Sequence, residues 1–278
     1  MDWNRIKTIF IVTFFVLDLF LVFQFIQKQN NNELELMTET KIDQQLKADH
    51  ITVDDLPNEP KKDSFIIAKN KVFKEEDIHS LKNQTPRLQE DAKKIESDLK
   101  EPIQNTKTLA KDKYGDFLRN YVVDGQKYEF AKSEASKIYF FQKYKDKPIF
   151  YNDHAMIIVT LNEKDEIVSY TQTMLTDLKE MGENDKAKEQ EIISAQKALE
   201  NLFVKQELTP NTHIKEAQIG YATLVSLAES NKQVLTPTWN LKEKGKKDHF
   251  VNAIEGQVIK LGEEKEKYNG VNGNESAF

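Results

Sequence analysis

The chain has no cysteine, and its 278 residues include only 9 glycines, 7 prolines and 5 histidines. Each scarcity excludes something. Without cysteine there is no disulfide framework, no thiolate metal ligand and no lipidation site of the lipoprotein kind, so an exported fold must be held by packing. The glycines form no G-x-G-x-x-G, no phosphate loop and no G-x-S-x-G elbow, which leaves nucleotide binding and serine-hydrolase chemistry without a motif. His50, His79, His154, His213 and His249 stand far apart, with no i, i+4 or H-x-H pair to bring two imidazoles to one metal. No catalytic, metal or cofactor site is expected.

What the chain does have is one long hydrophobic run. From Phe10 to Ile26 it reads FIVTFFVLDLFLVFQFI, in which all but Thr13, Asp18 and Gln24 are Phe, Ile, Val or Leu. As a helix, residues 9–26 extend roughly 27 Å at ~1.5 Å per residue, close to the ~30 Å hydrocarbon core of a bilayer. Asp18 at the centre costs ~3 kcal/mol on the insertion scale, and the apolar residues at ~0.3 to 0.6 kcal/mol each outweigh it. Residues 9–26 are therefore expected to be a transmembrane helix. Arg5 and Lys7 precede the run, while Glu33 and Glu35 follow Lys28. The positive-inside bias then makes 1–8 a short cytoplasmic N-terminus of a single-pass cell-membrane protein whose bulk is extracytoplasmic. FQFIQKQNN, which ends the run, lacks a small-residue cleavage site, so a retained anchor is expected.

A carboxylate in such a run asks for a partner. Helices in lipid associate through packing and interhelical hydrogen bonds, and an ionisable group at mid-depth usually faces another protein. Phe10, Phe14, Asp18, Leu21 and Phe25 share one helical face. That face is the expected transmembrane partner contact, and with so short a cytoplasmic end a signal would travel inward through this helix.

Beyond the run lie about 250 residues, enough for a sizeable core. Of the 40 Lys+Arg and 46 Asp+Glu, only Arg5, Lys7, Lys28, Asp2 and Asp18 fall in the first 28 residues, so the remainder is mildly acidic. It is a poor candidate for nucleic acid or an anionic wall polymer. Residues 27–63 read as a membrane-proximal stalk, or a first helix, and a Pro-rich connection. In 64–180, FIIA (65–68) reads as a strand, and Leu88, Ala92, Ile95 and Leu99 take helical spacing that Pro102 closes. From Lys137 the period becomes two: Ile138, Phe140 and Gln142 alternate with Tyr139, Phe141 and Lys143. AMIIVTL (155–161) and IVSYTQTML (167–175) flank the turn NEKDE, an antiparallel meander.

MGEND (181–185) then breaks the chain before a helix with Ile192, Ala195, Leu199 and Leu202 on one face. Ala217, Ile219 and Tyr221 alternate, as do Trp239 and Leu241, and HFVNAIEGQVI (249–259) reads as a hairpin turning at Glu255 and Gly256. The fold class is α+β: an N-terminal transmembrane helix followed by two tandem units of antiparallel sheet packed with helices, 64–180 and 181–262, the second PepSY-like. The tail 263–278 lacks periodicity and is expected to be disordered.

Three further features have bland readings. In NDH (152–154) the Asp and His are adjacent, and on a strand they point to opposite faces, so a loop is expected rather than an orienting pair. Tyr139, Phe140, Phe141, Phe150, Tyr151 and Trp239 could line a glycan groove, but at period two they fit a sheet's core face. KEKGKKD and GEEKEK read as solvated loops.

MDWNRIKTIFIVTFFVLDLFLVFQF at the start, IYFFQKYKDKPIFYN in the meander and FVNAIEGQVI near the end resemble the YycI (WalI) family, single-pass membrane proteins of Gram-positive bacteria. The resemblance covers essentially the whole chain. It implies a non-enzymatic regulator that acts with a partner, YycH, on the sensor histidine kinase WalK (YycG) of the two-component system governing cell-wall metabolism, through transmembrane-helix contacts. No catalytic residues come with it. The alternative is an extracytoplasmic binding module for wall fragments or for a protease, as PepSY-like inhibitors or chaperones are.

Overall fold

The computed structural model describes residues 7, 10, 11, 13–15, 17, 18, 20–22, 42–54, 56, 57, 62–104, 114–183, 186–227, 231–245 and 248–262. The chain divides into two compact units, residues 1–52 with 208–213, and residues 53–207 with 214–278.

In the first unit every described position from 7 to 22 is helical, and this is helix α1. Helix α2 is described over 42–48, with Ile42 and Leu46, one turn apart, buried. The chain is then tied to 208–213. The Asn211 N–H donates to the Asp49 carbonyl (2.8 Å), the Thr52 N–H to the Thr212 carbonyl (3.0 Å), and Thr52 Oγ1 lies 2.8 Å from His213 Nδ1. Among the described residues no helix is long and apolar enough to cross a membrane. Residues 27–41 of the expected stalk and connection (27–63), and the tail 263–278, lie outside the described residues.

Along the second unit run β1 (Ile66–Asn70), α3 (Glu75–His79), β2 (Gln84–Gln89), β3 (Lys94–Gln104), α4 (Gly115–Tyr121), β4 (Tyr128–Glu134), β5 (Lys137–Tyr144), β6 (Met156–Leu161), β7 (Glu166–Thr173) and β8 (Leu175–Glu180). They are followed by α5 (Ala195–Val204), β9 (His213–Leu227), β10 (Lys232–Glu243), β11 (Asp248–Asn252) and β12 (Val258–Ile259). The strands build two antiparallel sheets. The first has the order β2-β3-β7-β6-β5-β4; the second has β9-β10-β11-β12, with β1 pairing both β10 and β8. The chain is thus sheet-rich with few helices, and strands β1 and β8, from before residue 181, are part of the later sheet.

The alternation read from Lys137 forms β5, β6 and β7 as the expected meander, with Phe140 opposite Ile157 and Ile138 opposite Val159. Asn162 closes the NEKDE turn, its Oδ1 accepting the Lys164 and Glu166 N–H groups at 2.9 Å each. Because strand side chains alternate, the meander has two apolar faces. One, with Ile138, Phe140, Ile157, Val159 and Tyr170, is covered by Phe117 and Leu118 of α4. The other, with Phe141 and Met156, packs on Phe150 and on Phe250 of the second sheet. Helix α5 lies against β10 and β11, where Trp239 is fully buried and donates from Nε1 to the Ile193 carbonyl (2.9 Å). Gly220 sits at a close approach: a Cβ there would come within 2.5 Å of Phe150 Cε2 and of the Pro148 carbonyl.

One expected element is corrected. Residues 88–99 are not helical but form the hairpin of β2 and β3, in which Leu88 pairs with Ile95. Glu90, Asp91 and Ala92 make its turn with φ of 52°, 55° and 60°. The apolar spacing was ambiguous, since Ile95 and Leu99 also fit period two. Pro86 lies in edge strand β2, and Pro102 lies where the register of β3 to β7 shifts, both places where a missing N–H is tolerated. The MGEND segment likewise holds a short pairing, Gly182–Glu183 with Lys186–Ala187.

Helix α5 begins later than its apolar stripe. Ile192 precedes it, and Ser194 caps it by accepting the Lys197 N–H at 3.0 Å. Losing this cap by Ser194→Ala is expected to lower unfolding stability by about 1 kcal/mol, measured by urea denaturation. The 249–259 hairpin is as read: Gly256 takes φ +70°, and Asn252 Oδ1 accepts the Ile254 and Glu255 N–H groups.

Candidate functional sites

Four of the five residues expected to contact a partner helix are described. Phe10, Phe14, Asp18 and Leu21 are all helical and exposed, with Phe10 64% and Phe14 and Leu21 each 53% accessible. Phe10 and Phe14 meet along the face with ring centroids 5.3 Å apart and their planes tilted by 36°. Phe25 lies outside the described residues. Apolar exposure is not confined to this face, because Ile11, Phe15 and Val22 are also open. Asp18 differs from its neighbours in chemistry rather than exposure.

In the second unit, a groove of about 640 Å³ runs beside β8. Its lining includes Lys69, Tyr144, Asp177, Lys179, Glu180 and Lys232, from four separate stretches of sequence. Asp177 takes a left-handed φ of 53°, at the register shift between Thr176 and Lys179, and reaches Lys69 at 2.9 Å. That hydrogen-bonded ammonium holds the exposed Asp177 carboxyl below its ordinary range. Glu180 meets Lys145 at 2.5 Å, and Lys145 in turn lies over the Tyr144 ring. Such a groove can offer lysine ammoniums and one aromatic wall to a polar ligand, but it holds no nucleophile paired with a base.

Below Tyr144 lies a buried ionic knot. Asp63 receives Lys147 Nζ at 2.6 Å on one carboxylate oxygen, and the Tyr221 hydroxyl and the Ser64 N–H, each at 2.9 Å, on the other. Burial, then the Asp63 charge, push the Tyr221 hydroxyl far above its ordinary range, so it remains a donor.

The remaining sequence candidates take structural roles. Asn152, Asp153 and His154 form a turn in which the Asn152 side chain accepts the His154 N–H (2.8 Å) and donates to Gln233 (2.6 Å) and Thr223 (2.8 Å). Phe140, Phe141, Phe150 and Trp239 are core residues, while half-buried Tyr139 and Tyr151 flank Lys132. Among the described residues no three His, Cys, Asp or Glu side chains are grouped to hold a metal ion. KEKGKKD is corrected in part: Lys242 and Asp248 are not loop residues but face each other across β10 and β11. Nothing in the local sequence marks Lys69, Asp177 or Lys232 as neighbours; only the sheet order brings them together.

A search among curated proteins finds no match. Among solved structures, the chain is similar to an uncharacterized protein from Eubacterium rectale ATCC 33656, with 9% identity, a TM-score of 0.44, and coverage of 77% of this chain and 91% of that one. It is also similar to the Bacillus megaterium YpeB C-terminal domain, with 14% identity, a TM-score of 0.32, and coverage of 60% and 76% respectively. The model of the family described as YycI protein matches residues 29–254, and the chain belongs to the YycI family.

Proposed function

We propose that this chain is a non-enzymatic regulator of a sensor histidine kinase of the WalK (YycG) type. It acts with a YycH-like partner, from the cell membrane, through contacts made by residues 9–26. The family match over 29–254 carries the regulatory reading, since YycI membership points to the WalK/WalR system. The exposed apolar side chains of α1 suit lipid and a neighbouring helix, and Asp18 supplies the polar point that interhelical recognition in lipid uses. In this reading residues 1–8 are cytoplasmic and the two-sheet body is extracytoplasmic.

Replacing Asp18 by leucine tests the contact. An interhelical hydrogen bond is worth about 1 kcal/mol, roughly fivefold in association. Asp18→Leu is expected to leave expression intact while lowering co-purification with the kinase or its YycH-like partner by about that factor. Unchanged co-purification together with unchanged reporter output from the two-component system rejects the contact.

The groove beside β8 favours a second reading, a body that binds a ligand on its own account. Reversing Lys179 and Lys232 to glutamate separates the two. If regulation persists, the helix carries the function; if it is lost while co-purification holds, the groove does.

A further inference from the structure

Between the two sheets of the second unit lies a row of four polar side chains. Glu129 of β4 accepts from Gln218 Nε2 of β9 at 3.4 Å. Gln218 sits directly opposite Asn240 of β10, and Asn240 Nδ2 donates to Asp248 Oδ2 of β11 at 3.2 Å. The row therefore reads carboxyl, amide, amide, carboxyl, with one end on the first sheet and the other on the second. It borders the aromatic packing between the sheets, because Glu129 pairs with Phe141, and Asn240 pairs with Phe250.

Acceptors outnumber donors here. Asn240 is 2% exposed, and its Oδ1 has no hydrogen-bond partner among the described residues. A buried acceptor left alone beside a carboxylate is unfavourable. A proton added to Asp248 turns an acceptor beside Asn240 into a donor, and one added to Glu129 at the other end of the row removes a desolvated charge.

The surrounding charges are mixed. Glu129 is faced by Lys143 of β5, Lys242 of β10 and Asp146 of the following turn. Asp248 is faced by Lys242, by Lys132 of β4 and by His249 of its own strand, and it acts on Tyr151. These groups have other partners: Lys242 meets Glu216 at 3.2 Å, Lys132 meets Glu134 at 2.7 Å, and His249 Nε2 lies 3.2 Å from Glu243.

We propose that this inter-sheet row is a proton-responsive element, which takes up protons at Glu129 and Asp248 on mild acidification and thereby tightens the packing of the two sheets. Desolvation is the largest influence on both carboxyls and raises their pKa values above the ordinary range, against the opposing pull of the amides and lysines. The folded body then holds more protons than the unfolded chain between the ordinary carboxylate pKa and the raised one. Stability contributed by the row falls as pH rises through the raised pKa values and grows as pH drops through them. This response belongs to the body and does not depend on the kinase reading.

The test uses the full chain in detergent, the wild type beside Glu129→Gln/Asp248→Asn. Backbone hydrogen exchange, corrected for intrinsic rate, is followed at 128–134 and 248–252 from about pH 7 to about pH 5, a range above ordinary carboxylate pKa values. The wild type is expected to gain protection severalfold on acidification, while the double variant is protected throughout with little pH dependence. Parallel profiles overturn the proposal. Lys242→Met provides a second measurement: with that cation gone, the transition of the retained carboxyls is expected to move to higher pH. A transition that stays in place also overturns it.

Discussion

Replacing Gln142 by leucine is expected to lower the unfolding free energy by about 2 to 5 kcal/mol, although leucine fills nearly the same space. Gln142 is 1% exposed, and its amide grips both polar groups of one residue on the other sheet. Nε2 donates to the Leu175 carbonyl at 2.8 Å, and Oε1 accepts the Leu175 N–H at 2.7 Å. Leu175 is the first residue of β8, at the point where the chain leaves the first sheet for the second, and it is fully buried. Leucine at 142 leaves a donor and an acceptor of the main chain unpaired, and each such group is worth about 1 to 3 kcal/mol. Urea denaturation with an unchanged slope measures the effect. A loss under about 1 kcal/mol would mean that water replaces the amide. Gln172 uses the same device on Val123, donating to its carbonyl at 2.7 Å and accepting its N–H at 3.2 Å.

These two glutamines show what the sequence made legible and what it hid. Period-two alternation locates β5, β6, β7 and β10 because each buries an apolar face, and it sets Gln142 on the side of Ile138 and Phe140, where it is buried. What a polar residue on a core face is doing cannot be read locally, since its partner Leu175 lies 33 residues away. The hairpin at 84–104 was hidden for a different reason: with one apolar residue per three or four, helical and strand periods both fit, and tertiary pairing decides. The same limit applies to function. Asp18 stands out in the sequence because its surroundings are uniform, whereas Glu129, Asp248 and the groove residues are ordinary charges in an acidic chain until the sheets assemble. KEKGKKD looked solvated because seven residues show composition but not that Lys242 and Asp248 end two paired strands.

Lys147→Met is expected to be as damaging as the glutamine change, about 3 to 5 kcal/mol, through electrostatics rather than unpaired main chain. Lys147 keeps only a quarter of its side chain accessible and Asp63 6%. Their 2.6 Å contact, with Tyr221 and Ser64 on the other oxygen, leaves the carboxylate fully engaged. Removing the ammonium alone strands a buried negative charge. Removing both charges does not, so Asp63→Asn/Lys147→Met is expected to recover most of the loss, and additive losses would show that the pair is not coupled. The knot has a position as well as an energy. It joins three distant segments: the Lys62–Asp63 strand, which pairs with Gln190–Glu191; the 147–150 strap, whose Phe150 N–H donates to the Tyr221 carbonyl (2.7 Å); and β9. Tyr221 packs edge-on to Tyr144, the aromatic wall of the groove. Breaking the ion pair should therefore loosen that wall before the whole body unfolds. Hydrogen exchange at 175–180 is expected to rise in Lys147→Met well below the denaturant midpoint and to return toward wild type in the double variant.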